Sequence, residues 1–71
     1  LNGGTNGIEI LEKVIIKASQ LLKINGKLII EIGSDQKYKM INILKKNKFY
    51  INKITKDLSN LDRCITSTKI A

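Results

Sequence analysis

The chain has 71 residues, one cysteine, no histidine or proline, and a formal net charge of +7. That length supports one small domain, which buries only about 60% of its unfolded surface and is marginal without help. A lone cysteine excludes a disulfide-stapled scaffold and points to a reducing cytoplasm. Without histidine it builds no metal site, and no apolar run approaches the ~18 residues of a membrane span.

The chain starts at Leu1, inside the glycine-rich loop Gly3-Gly4-Thr5-Asn6-Gly7, and so reads as a cut chain. Asn6 is placed to cap a helix, with Glu9 three residues on as in a capping box. Ile8, Leu11, Val14, Ile15, Ala18, Leu21 and Leu22 then recur at helical spacing, predicting a first helix over about 7–23 that stops at Asn25-Gly26. The run Lys27-Leu28-Ile29-Ile30-Glu31-Ile32 reads as a strand. Its core is continuously apolar, so both faces are expected to be covered. Glu31 is the exception, a carboxylate that needs a partner, solvent or a ligand.

Ser34 or Asp35 is expected to cap a second helix, with Tyr38, Met40, Ile41 and Leu44 inside and Lys37, Lys39, Lys45 and Lys46 outside. Asn47-Lys48 ends it. Phe49 to Thr55 reads as the second strand, Asp57 to Asp62 as a polar turn, and Arg63 to Ile70 as the third strand. The helix between the first two strands makes them parallel, and the short link between the last two makes a hairpin. Three strands and two helices hardly cover a strand buried on both faces, so the pattern asks for more sheet than the chain contains.

Several local features invite chemistry. Gly3, Gly4 and Gly7 read either as a loop at a substrate cleft or as a tight turn into the helix. Glu31 reads as a cleft carboxylate at a strand end, or as the partner of Arg63 or of a backbone donor. Gln36 either reaches the cleft or pairs locally. Asp57, Asp62 and Arg63 read as a structural set that pins the last turn, or else as a docking contact for a protein partner. Tyr38, Phe49 and Tyr50 are assigned to packing rather than base stacking. The lysines are scattered, and only Arg63 is an arginine, so the basic charge reads first as composition bias on solvated faces.

Asn2-Gly3-Gly4-Thr5-Asn6-Gly7, Glu31-Ile32-Gly33 with Gln36, Asp57-Leu58, and Asp62-Arg63 together resemble the C-terminal portion of the HemK/PrmC family. Asn6 stands where that family usually has Asp. The resemblance implies an α/β fold, the C-terminal part of a Rossmann-like class I methyltransferase domain spanning residues 1–71. In that fold the order is helix, strand, helix, strand, strand, and a reversed last strand lies between its two predecessors. It implies an enzyme that uses S-adenosyl-L-methionine to methylate a glutamine side-chain nitrogen on peptide chain release factors, in translation termination.

The resemblance also implies that the cofactor loop and the Asn-Pro-Pro-Tyr motif lie upstream. No catalytic or cofactor-binding residue is then expected in this segment, which alone would be inactive. Alternatives are a small basic α/β module that binds nucleic acid, or the tail of a nucleic-acid amino-methyltransferase. On the family reading, nucleic acid is bound only non-specifically and no membrane is involved. The edge of the first strand is expected to self-associate in the isolated segment.

Overall fold

The computed structural model describes residues 7–71, and Gly3 and Gly4 lie outside them. The element order is α1 (Ile8–Leu21), β1 (Lys27–Glu31), α2 (Lys37–Lys46), β2 (Phe49–Lys56) and β3 (Asp62–Lys69). It matches the sequence expectation element by element.

The N-cap of α1 is Gly7, with φ of 85° and no side-chain cap, so the expected capping box does not start this helix. Its carbonyl instead accepts the first helical bond, from Leu11 N–H at 2.9 Å. A positive φ suits glycine because no Cβ meets the backbone. At the other end Leu22 turns extended, three residues before Asn25 adopts a φ of 77°. Gly26 follows because a Cβ there would stand 2.9 Å from the Lys23 carbonyl oxygen, too close for any side chain.

The sheet order is β1-β3-β2, with β3 antiparallel to both neighbours. β1 and β2 therefore run in the same direction but do not touch. This is the reversed last strand between its two predecessors that the family resemblance implies, and it satisfies backbone groups on both sides of β3. The β1 register runs from Lys27 opposite Thr68 to Glu31 opposite Cys64. β2 pairs from Phe49 opposite Lys69 to Lys56 opposite Asp62, with a shift between Ile51 and Lys53 and another between Thr55 and Lys56.

One cluster forms the core: Ile15 of α1, Ile30 and Ile32 around the end of β1, Met40 and Leu44 of α2, Phe49 of β2, and Ile65 of β3. Ile30 and Ile65 face each other in register, so both helices cover the same face of the sheet. The Cα envelope is only 15 Å thick, enough for one helix layer on one sheet.

The opposite face is open. Ile29 is 64% exposed, which corrects the expectation that β1 is covered on both sides. Val14 and Leu21 also point outward, although their spacing fits the buried stripe. Tyr38 and Tyr50 are exposed too, and of the three aromatics only Phe49 packs in the core. Position explains Tyr38: it sits one residue into α2, on the side away from the Met40–Leu44 line.

Candidate functional site

Two loops meet the carboxyl end of β1, the end at which open α/β sheets hold ligands. The first is Glu31 to Gln36. Ile32 anchors it, buried and donating its N–H to the Arg63 carbonyl at 2.8 Å. Gln36, not Ser34 or Asp35, occupies the N-cap of α2. Its side chain does not cap the helix but turns back, where Oε1 accepts the Gly33 N–H at 2.7 Å. The Gln36 N–H in turn donates to the Gly33 carbonyl at 2.9 Å. Gly33 and Gln36 thus close the loop reciprocally. A Cβ on Gly33 would press within 3.2–3.3 Å of the Asp35 and Gln36 side chains, which would have to give by a few tenths of an ångström.

Glu31 is exposed, opposite Cys64 in the ladder, and its carboxylate has no ion-pair or hydrogen-bond partner among the described residues. Arg63 is not its partner. The guanidinium instead binds Asp57, with Nε 2.8 Å from Oδ2.

Asp57 organises the second loop. Its Oδ1 accepts the N–H groups of Ser59 and Leu61 at 2.8 and 3.0 Å, while its own N–H donates to the Leu61 carbonyl at 2.9 Å. Asn60 takes a left-handed φ of 66°, a conformation asparagine tolerates. The Arg63 side chain, and then the Leu61 N–H, hold the Asp57 carboxyl below the ordinary carboxylate range.

Asp62 joins three elements. Lys56 of β2 lies 3.2 Å from one of its oxygens, and Lys37 at the start of α2 lies 3.4 Å from the other. Lys56 and Lys37 lower its pKa. A lysine in the first turn of a helix opposes the helix dipole, and the Asp62 carboxylate offsets that. Lys37 and Lys56 were not singled out from the sequence. The available signal was an acidic residue between a strand-end lysine and a helix-start lysine.

Two turns and the end of β3 are sewn together at the other end of the sheet. Asn25 N–H donates to the Lys69 carbonyl, Lys69 N–H to the Gly26 carbonyl, and Ile70 N–H to the Lys48 carbonyl, at 2.8, 2.8 and 2.9 Å. A side-chain relay runs along the open face, from Lys27 Nζ to Thr68 Oγ1 at 2.7 Å and from Thr68 Oγ1 to Asn52 Oδ1 at 2.6 Å. An open groove of about 490 Å³ lies here, walled by Ile41 and Lys45 of α2, Phe49, Tyr50 and Ile51 of β2, and Ile70. Among the described residues no group of three metal-ligating side chains gathers, and no helix is long and apolar enough to cross a membrane.

The chain is 32% identical over 69 residues to the release factor glutamine methyltransferase of Thermodesulfovibrio yellowstonii. It is 29% identical over 69 residues to the protein of the same name from Clostridium acetobutylicum. Both alignments take in 97% of this chain. The chain matches the C-terminal part of release factor glutamine methyltransferases. It spans about a quarter of the length of these curated relatives, 25% and 24%. No family model and no solved structure matches it. The resemblance read from the motifs is therefore to the family that these relatives represent, and the α/β architecture is compatible with its C-terminal part.

Proposed function

We propose that this chain forms the C-terminal part of a class I, Rossmann-like methyltransferase domain, and that the complete protein methylates the glutamine side-chain nitrogen of peptide chain release factors with S-adenosyl-L-methionine. The observation that carries the reading is β1. Among the described residues it is an apolar strand with one neighbour, an open outer edge and an exposed Ile29, while the reversed β3 is fully flanked. A further strand beside β1 and a layer over Ile29 are what a larger sheet supplies. The likeness to the relatives' last quarter supports the same assignment.

On this reading the cofactor is held by other parts of the protein. The N–H groups of Gly33 and Gln36 are both spent inside their own loop. The cofactor, when bound elsewhere in the protein, supplies an electrophilic methyl group. An amide nitrogen is a poor nucleophile because its lone pair is delocalised, so the reaction depends on positioning. The part given to this chain is a rigid wall at the β1 end. There Gly33 and Gln36 lock the loop, Asp57 and Arg63 lock the neighbouring turn, and Glu31 presents a free carboxylate towards the cleft. Gly3, Gly4 and Gly7 are proposed to border the same cleft. On this reading the protein works in the cytoplasm and the isolated chain transfers no methyl group.

A graft tests this. The last quarter of the Thermodesulfovibrio yellowstonii enzyme is replaced by this chain, and methylation of a release factor glutamine is followed by mass spectrometry. The graft is expected to methylate, whereas the body without a last quarter is expected not to. A folded graft that binds cofactor but leaves the glutamine unmodified would overturn the reading.

A further inference from the structure

The charge of this chain is not spread evenly. Lys23, Lys27, Lys45, Lys46, Lys48 and Lys69 all belong to the turns and strand ends that the Asn25–Lys69, Lys69–Gly26 and Lys48–Ile70 backbone bonds sew together. None of the six acidic residues is there. Glu9 and Glu12 lie in the far half of α1, Glu31 ends β1, Asp35 precedes α2, and Asp57 and Asp62 bound the β2–β3 turn. The other basic side chains nearly balance these carboxylates, so almost all of the net +7 sits at one end. Composition bias explains many lysines but not this separation.

The apolar groove opens at the same end. Lys45 is part of its wall, Lys69 holds its ammonium 6.0 Å from the Phe49 ring centre, and Tyr50 and Ile70 are 60% and 56% exposed at its rim. We propose that this end docks an acidic protein segment, seating one bulky apolar side chain in the groove while its carboxylates meet Lys45, Lys46 and Lys48. A nucleic acid fits less well. The groove walls Ile41, Phe49, Ile51 and Ile70 have no use for a phosphodiester, and at the groove rim only Tyr50 offers an exposed ring for stacking, since Tyr38 lies at the other end of α2. Arg63, the only arginine, is at the opposite end bound to Asp57. A central apolar anchor with a charged surround is how small protein interfaces gain both affinity and steering.

The test uses the full chain and a short fluorescent peptide of Asp and Glu residues around one Phe, with binding read by anisotropy at several salt concentrations. The peptide is expected to bind about tenfold or more tightly than its Phe→Ser counterpart, and to weaken as salt screens the lysines. The triple variant Lys45→Glu, Lys46→Glu, Lys48→Glu is expected to lose binding by about tenfold or more, and Tyr50→Ser to remove the preference for Phe. The control Lys13→Glu, Lys17→Glu makes a smaller change in charge on α1 and is expected to leave binding within about twofold. All substituted side chains are exposed, and circular dichroism checks that each variant folds. Equal binding of the Phe and Ser peptides, equal loss in the α1 control, or tighter binding of a single-stranded oligonucleotide of matched charge would each overturn the proposal.

Discussion

β3 and β1 are both strands of one small sheet, yet they meet opposite conditions. β3 has a neighbour on each side and buries Ile65, Ser67, Thr68 and Lys69; Ser67 Oγ even donates to the Leu28 carbonyl across the ladder at 2.9 Å. Among the described residues β1 has one neighbour, buries one face and leaves Ile29 in solvent. The difference separates what the chain does for itself from what it leaves to a partner. Its core and its β2–β3 turn are internally satisfied, whereas the β1 edge carries strand-forming residues that pair with nothing among the described residues.

The comparison breaks most visibly at Ile65, fully buried at the centre of the sheet. Ile65→Ala is expected to cost about 2–5 kcal/mol, the range for large-to-small core changes, seen as a lower urea midpoint or an unfolded chain. Ile29→Lys sharpens the contrast. In the chain alone it is expected to change stability by less than about 0.5 kcal/mol, because the side chain is already solvated. In the graft it is expected to cost about 2 kcal/mol or more, because a buried charge would lack a partner. Equal, small effects in both settings would place Ile29 in solvent throughout.

The β2–β3 turn gives a pH-dependent test. The folded-state pKa of Asp57 lies below the ordinary 3.8, so its ionised form stabilises the fold above that value. The contribution is lost as pH falls from about the unfolded value down through the folded one. Asp57→Asn is expected to lower the urea midpoint at neutral pH and to make the acid limb of stability shallower, as followed by circular dichroism. Gly33→Ala is the smallest change. Crowding Asp35 and Gln36 is expected to loosen the Gly33–Gln36 bond at a cost of about 1 kcal/mol.

Much of this architecture was legible in the residues. Apolar periodicity marked both helices, the Ile-rich run marked β1, and the Asp57–Asp62 turn was readable because Asp and Asn bond their own backbone. What periodicity did not reveal was how much of each apolar stripe is covered here. Val14, Leu21 and Ile29 look like core residues and are exposed, because hydrophobicity records what a residue can pack against and not whether the packing partner is present. Local hydrogen bonding was equally hidden. Gln36 took the N-cap position from Ser34 and Asp35 because its longer side chain closes the Gly33 turn. Arg63 chose Asp57 over Glu31 because the turn places that carboxylate beside it. The charge polarity needed topology, since Lys23, Lys48 and Lys69 are far apart in sequence and meet only through the folded turns.

Hydrogen exchange at β1 tests the central claim most directly. Ile32 N–H points to β3, so by alternation the N–H groups of Ile29 and Glu31 point outward from the sheet edge. In the monomeric chain these two amides are expected to exchange almost unprotected, and in the graft to slow by about a hundredfold or more as a neighbouring strand takes them up. Strong protection of both in the monomer, or no slowing in a folded graft, would contradict the account.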